Sequence, residues 1–198
     1  YGEGHPYSNP FTGTGYEDTV SGLTREDVVN FYDTWMKPNN ATLVVTGDLS
    51  IDELTSILEK SLGKWKKGDV PSITFSAPKT DSRNTLYLMD RPESQQSVII
   101  AGHLTEKYGD LSEIALGQMV SILGGDFTSR INMNLREDKH WSYGAGGFVL
   151  GAREERPFIV YAPVQTDKTS ESVTEVRKEI SEFISSRPAT SAELEKVK

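Results

Sequence analysis

Apolar residues recur along the chain with two periods, near 3.6 and near 2, and the switches between them mark the predicted elements. Val28, Phe31, Tyr32 and Trp35 share a helical face behind Thr24, which stands three residues before Asp27 as a capping pair should; this predicts a helix ending before Pro38. Residues 41–46 form a short apolar, β-branched run closed by Gly47 and Asp48, the pattern of a buried strand. Ser50 and Glu53 repeat the capping spacing ahead of a stripe of Leu54, Ile57, Leu58, Leu62 and Trp65, a second helix. Residues 85–90 and 97–103 read as strands joined by a polar turn at 91–96. A cap at Asp110 with Glu113 leads into Leu111, Ile114, Ala115, Met119, Ile122 and Leu123, a helix that meets Gly124 and Gly125. Helical spacing resumes with Ile131 and Leu135, with Arg136 just beyond. Residues 143–151 and 157–163 then read as a hairpin across a charged turn, and Ser170 opens a helix containing Val173, Val176, Ile180, Phe183 and Ile184.

Two hairpins among irregularly alternating helices fit an α+β fold, a mixed and mainly antiparallel sheet covered by helices, better than a doubly wound parallel sheet. Residues 1–23 hold five glycines and two prolines and are predicted as a loop-rich lead-in. Residues 66–84 read as a surface connection between two halves. The chain starts at Tyr1, and Thr190 with Glu193 caps a helix cut off after about two turns. The expectation is therefore a piece excised from a longer protein, with any signal peptide outside it.

Composition narrows the chemistry. The 198 residues are 36% hydrophobic and 25% charged, ordinary globular values, and no apolar run has the length of a membrane span. Lys plus Arg total 21 against 29 Asp plus Glu, a net charge of −8 that argues against a general nucleic-acid or anionic-membrane surface. With no cysteine there is no disulfide, thiolate metal site or cysteine nucleophile. The histidines are His5, His103 and His140, and neither H-E-x-x-H nor H-x-x-E-H occurs. The segment from His103 to Lys107 is a near miss, with lysine where the second imidazole would stand. Gly124 and Gly125 lack the Gly-Lys-Ser/Thr ending of a phosphate loop and do not follow a strand, so a glycine pair admitting close backbone approach is the better reading. Arg136 follows an apolar helical segment and Tyr143 begins a strand after a sharp polar interval. A guanidinium and a phenol aimed at one place would suit the carbonyl oxygens of an extended peptide and a developing oxyanion. From chemistry alone, a surface arginine near a helix end and a half-buried strand tyrosine are the favoured reading.

The stretch 122–147, Ile-Leu-Gly-Gly-Asp-Phe-Thr-Ser-Arg-Ile-Asn-Met-Asn-Leu-Arg-Glu-Asp-Lys-His-Trp-Ser-Tyr-Gly-Ala-Gly-Gly, resembles the insulinase and pitrilysin (M16) family of zinc peptidases. His5-Pro6-Tyr7, Leu23-Thr24-Arg25-Glu26-Asp27 with Phe31-Tyr32, and the Pro-Asn-Asn-Ala-Thr-Leu-Val-Val-Thr-Gly-Asp block at 38–48 follow in family order. The resemblance implies a two-half, clam-like enzyme in which this chain, 1–198, is the single C-terminal-type domain of a half. The zinc ligands, H-x-x-E-H and a later glutamate, would lie on another domain or subunit. Arg136 and Tyr143 match, by their Leu-Arg and Tyr-Gly contexts and their separation, the arginine and tyrosine that reach from the opposite half into the zinc cleft. Trp141-Ser142 departs from the Gly-Tyr-like or Gly-Leu-like residues that often precede that tyrosine.

On this resemblance the chain binds substrate and stabilises the transition state in a zinc-dependent metalloendopeptidase, and is inactive alone because it lacks H-x-x-E-H. The expected partners are an HxxEH-bearing domain and a peptide substrate, and the expected location is the bacterial periplasm or cell envelope. A noncatalytic assembly or peptide-binding subunit, like the family members in respiratory complexes, is the alternative. An unrelated α+β domain binding a small anion at Gly124 and Gly125 has no motif to support it.

Overall fold

The computed structural model describes residues 1–9, 13–79, 84–109 and 112–198. They divide into two compact units, Tyr1–Thr80 and Asp81–Lys198, at the predicted connection.

In the first unit the two capping pairs form as predicted. Thr24 caps α2 (Arg25–Trp35), its Oγ1 accepting from the Asp27 amide while Asp27 accepts from the Thr24 amide at 2.8 Å. Ser50 and Glu53 repeat this at α3 (Ile51–Leu62). Ahead of them the lead-in contains a 3-10 turn, Pro6–Ser8, and a helix not expected there, α1 (Glu17–Ser21). Between Gly15 and Gly22 no breaker falls, and the Thr19 hydroxyl satisfies the Tyr16 amide at 3.1 Å, so a short helix can start. The part of the lead-in at 10–12 lies outside the described residues. His5 is buried: Nδ1 accepts from the Tyr7 amide at 3.0 Å and Nε2 lies 3.1 Å from the Ser76 carbonyl, while Tyr1 stacks on its ring. Residues 41–46 form no strand, contrary to expectation, and Leu43, Val44 and Val45 are exposed. An apolar β-branched run is only competent for a strand; the ladder needs a partner backbone, which these residues lack among those described.

The second unit is built on a three-stranded antiparallel sheet in the order β1-β3-β2, from β1 (Gln96–Thr105), β2 (Gly146–Val149) and β3 (Arg156–Gln165). The fold is α+β. The second predicted hairpin forms as β2 and β3, with Gly147 opposite Val160, but the first does not. Residues 85–90 carry no strand, Leu86 to Met89 are exposed, and β1 pairs with β3 across a long sequence separation, Ile100 facing Tyr161. Helix α4 (Glu113–Val120) is capped by Ser112, whose Oγ accepts from the Ala115 amide; the cap expected at Asp110, with Leu111, lies outside the described residues. It continues as a π-helical turn, Ser121–Gly125. Helix α5 (Arg130–Asn132) likewise runs into a π-helical turn, Met133–Asp138.

The core gathers Leu123, Ile131, Leu135, Phe158, Val160, Ala162, Val164 and Val176, the alternate residues of β3 facing helix α6 (Thr169–Phe183) and the two π-helical segments. Asn134 ties its π turn to α6, its Nδ2 donating to Glu175 at 2.8 Å and to Glu179 at 2.7 Å. Helix α7 (Ser191–Val197) is held by Arg130, which donates through Nε and Nη2 to Glu193, each at 2.8 Å.

Candidate active-site cleft

The two candidate residues lie along the stretch from the second π turn to the start of β2. Arg136 lies within that turn and Tyr143 seven residues later, and both line one open cleft of about 890 Å³. The π turn arises because backbone hydrogen bonds skip a residue: the Lys139 amide donates to the Asn134 carbonyl, five residues back, at 3.0 Å. The next amide but one, Trp141, reaches Leu135 at 2.9 Å, which lets the chain reverse. His140 makes that reversal with a φ of 59°, a left-handed conformation rare outside glycine, and its Nδ1 lies 3.0 Å from the Arg136 carbonyl.

The Trp141-Ser142 departure is accommodated by clamping the turn to β3. Gln165 donates from its amide to Trp141 at 2.9 Å and from Nε2 to His140 at 3.2 Å. The Ser142 hydroxyl donates to Pro163 at 2.6 Å and accepts from the Gly144 amide at 3.1 Å. Tyr143 stands beyond this clamp, 89% exposed, its hydroxyl without a partner among the described residues. A tyrosine with a packing role would bury its ring; this one presents phenol to the open side. The Arg136 guanidinium lies over the Phe127 ring at 4.4 Å, with its Nε 3.5 Å from Glu137. The aromatic face supports the cation without consuming its hydrogen-bond donors.

At the other end of the cleft, Arg156 is buried and grips Glu113 through two bonds of 2.8 and 3.0 Å. Hydrogen bonding from Arg156 and then from the Gly109 amide holds the Glu113 carboxyl below its ordinary value, so this pair is charged and internally satisfied. The wall between the ends is made by glycine. Gly124 abuts β2 so closely that a Cβ there would fall 2.3 Å from the Gly147 nitrogen, which is the close backbone approach expected of the pair.

Among the described residues the histidines are not grouped to fit zinc. His5 spends both ring nitrogens on backbone groups, His103 is an exposed residue of β1 beside the Leu104 carbonyl, and His140 belongs to the reversal. Among the described residues no three His, Cys, Asp or Glu side chains are grouped to hold a metal ion. Phe127 and Asn132 also line the cleft, and the sequence did not single them out. A hint of the second is the use of Asn, a poor helix former, twice between Ile131 and Leu135.

The profile of a known family, described as the peptidase M16 inactive domain, matches residues 22–198. The chain belongs to the M16 peptidase family. An uncharacterized zinc protease of Rickettsia felis is 25% identical over 179 residues, covering 90% of this chain and 42% of that protein. The crystal structure of a peptidase M16 inactive domain from Pseudomonas fluorescens shares the fold with a TM-score of 0.81 at 19% identity, over 92% of this chain and 44% of that one. The periplasmic protease PqqL of Escherichia coli aligns with a TM-score of 0.56 at 14% identity, over 76% of this chain and 17% of that one. The chain thus spans less than half the length of each of these M16 relatives. It is an M16 inactive-type domain, a noncatalytic kind associated with zinc proteases.

Proposed function

We propose that this domain supplies substrate-binding and transition-state-stabilising groups to a zinc-dependent endopeptidase whose HxxEH-bearing domain lies elsewhere in the same polypeptide or on a partner subunit. The observation that carries the reading is the placement of Arg136 and an exposed Tyr143 on one cleft. Arg136, carried on Phe127, donates its planar fork to backbone carbonyls of an extended peptide. Tyr143 donates its phenolic hydrogen to the oxyanion that forms at the scissile carbonyl. Activated water for the attack would come from zinc held by that other domain. A periplasmic or cell-envelope location accompanies this reading, supported by the periplasmic description of PqqL; cell fractionation tests it.

The decisive experiment assays the full-length product, with its zinc-bearing half, on peptides with and without chelator. Tyr143→Phe keeps the ring and removes the donor, so kcat should fall by ~10²-fold to 10³-fold with KM little changed. An unchanged kcat removes the catalytic role of Tyr143, whereas a full-length product with no chelator-sensitive turnover favours a noncatalytic assembly or peptide-binding subunit.

A further inference from the structure

Asn132 connects the two sides of the cleft through a single amide. It is 5% exposed on α5, next to the fully buried Ile131. Its Nδ2 donates to the Phe127 carbonyl at 2.6 Å and its Oδ1 accepts from the Ala145 amide at 3.1 Å. The orientation of the amide is fixed by its partners, since a carbonyl only accepts and an N–H only donates. Phe127 is the platform under the Arg136 guanidinium, and Ala145 lies two residues beyond Tyr143, where the chain enters β2.

We propose that Asn132 is a positioning residue that holds the Arg136 platform and the Tyr143 limb in one register; the inference rests on the peptidase reading above. The job requires a donor and an acceptor at the two ends of one short planar group. Aspartate presents two acceptors when ionised and sets a carboxylate against the Phe127 carbonyl. Leucine supplies neither bond, and glutamine places both ends a methylene too far. Ser142 steadies only the Tyr143 side, through Pro163 and Gly144. In a water-poor setting both Asn132 bonds are costly to leave unmade, so the amide resists sliding of either segment.

The test measures kcat and KM on a fluorogenic peptide, using the full-length protein with its zinc-bearing half, for wild type, Asn132→Asp, Tyr143→Phe and the double variant. Asn132→Asp should lower kcat by about 10-fold to 10²-fold, the usual penalty for misplacing a catalytic group by about an ångström, with KM changed less. The kcat of the double variant should be no lower than that of Tyr143→Phe alone within about 3-fold, because a misaligned phenol has no more to lose once its hydroxyl is gone, while the displaced Arg136 platform is read in KM. The ratio of Asn132→Asp to wild-type kcat should rise as pH falls into the carboxylate range, where the protonated acid regains a donor for Phe127. Asn132→Ser, small enough to admit a bridging water, gives the same comparison if the aspartate variant does not fold. A wild-type kcat in a folded Asn132 variant, or losses that multiply in the double variant, overturns the role of Asn132 while leaving that of Tyr143 in place. A wild-type kcat in Tyr143→Phe overturns the role of Tyr143 and this inference with it, and a wild-type protein with no chelator-sensitive turnover overturns the peptidase reading itself.

Discussion

Adding one methyl group at Gly124 should do more damage than its size suggests. The residue is buried in the π turn Ser121–Gly125, and a Cβ there would sit 2.3 Å from the nitrogen and 2.8 Å from the Cα of Gly147, and 3.1 Å from the carbonyl carbon of Gly146. Comfortable separations are about 3.5 Å or more, and every obstructing atom is backbone, so no side chain can swing aside. Gly146 has the reciprocal restriction, its own Cβ falling 2.6 Å from the Gly124 oxygen. The segments must therefore part. Overpacking of this kind costs up to about 3 kcal/mol or more. At roughly 2–4 °C per kcal/mol for a domain of this size, Gly124→Ala should melt about 6–12 °C below wild type. Gly117, in the same helical run, meets nothing within 4 Å. There alanine removes unfolded-state freedom and improves helix propensity, a gain of about 0.4–1 kcal/mol and an upward shift of about 1–4 °C. Thermal melts of both variants by circular dichroism decide the matter. If Gly124→Ala melts with the wild type, or Gly117→Ala falls with it, the steric argument is wrong.

Two further outcomes follow from polar groups. Arg130 holds the Glu193 carboxyl down from its ordinary 4.5 to about 2. Between those values the unfolded chain binds more protons than the folded one, so the stabilisation is complete above 4.5 and drains away as pH falls to about 2. In Glu193→Gln the melting temperature should lose that part of its acid slope, and an unaltered slope in a pH series of melts would refute the assignment. His5→Phe retains the ring stack with Tyr1 but strands the Tyr7 amide and Ser76 carbonyl. It should destabilise the first unit by roughly 1–3 kcal/mol for each group left unpaired, read by hydrogen exchange at the amides of residues 1–9; wild-type protection there would contradict it.

Helix starts were legible because capping is local: Thr24 with Asp27, Ser50 with Glu53 and Thr190 with Glu193 each close their bonds within four residues. Strands were legible only where the partner also existed. Residues 97–103 and 157–163 found one another, whereas 41–46 and 85–90 have equally suitable side chains and no ladder. The π turns left no trace in the apolar spacing, since a skipped hydrogen bond is made by backbone. The motif around Arg136 and Tyr143 singled them out as candidates, and the sequence did not single out Phe127 and Asn132, which line the same cleft. An aromatic in a loop and an asparagine in a helix look ordinary until folding sets one under a guanidinium and the other between two chain segments.

The widened turn at Met133–Asp138 makes the aim of Arg136 a matter of counting. A π turn is an ordinary helix that has absorbed one surplus residue, and each helical residue turns the next side chain by about 100°. Shortening the segment by one position would restore regular winding and swing the guanidinium to another side, even with every remaining side chain unchanged. Along these six residues the aim of the guanidinium depends on length before identity.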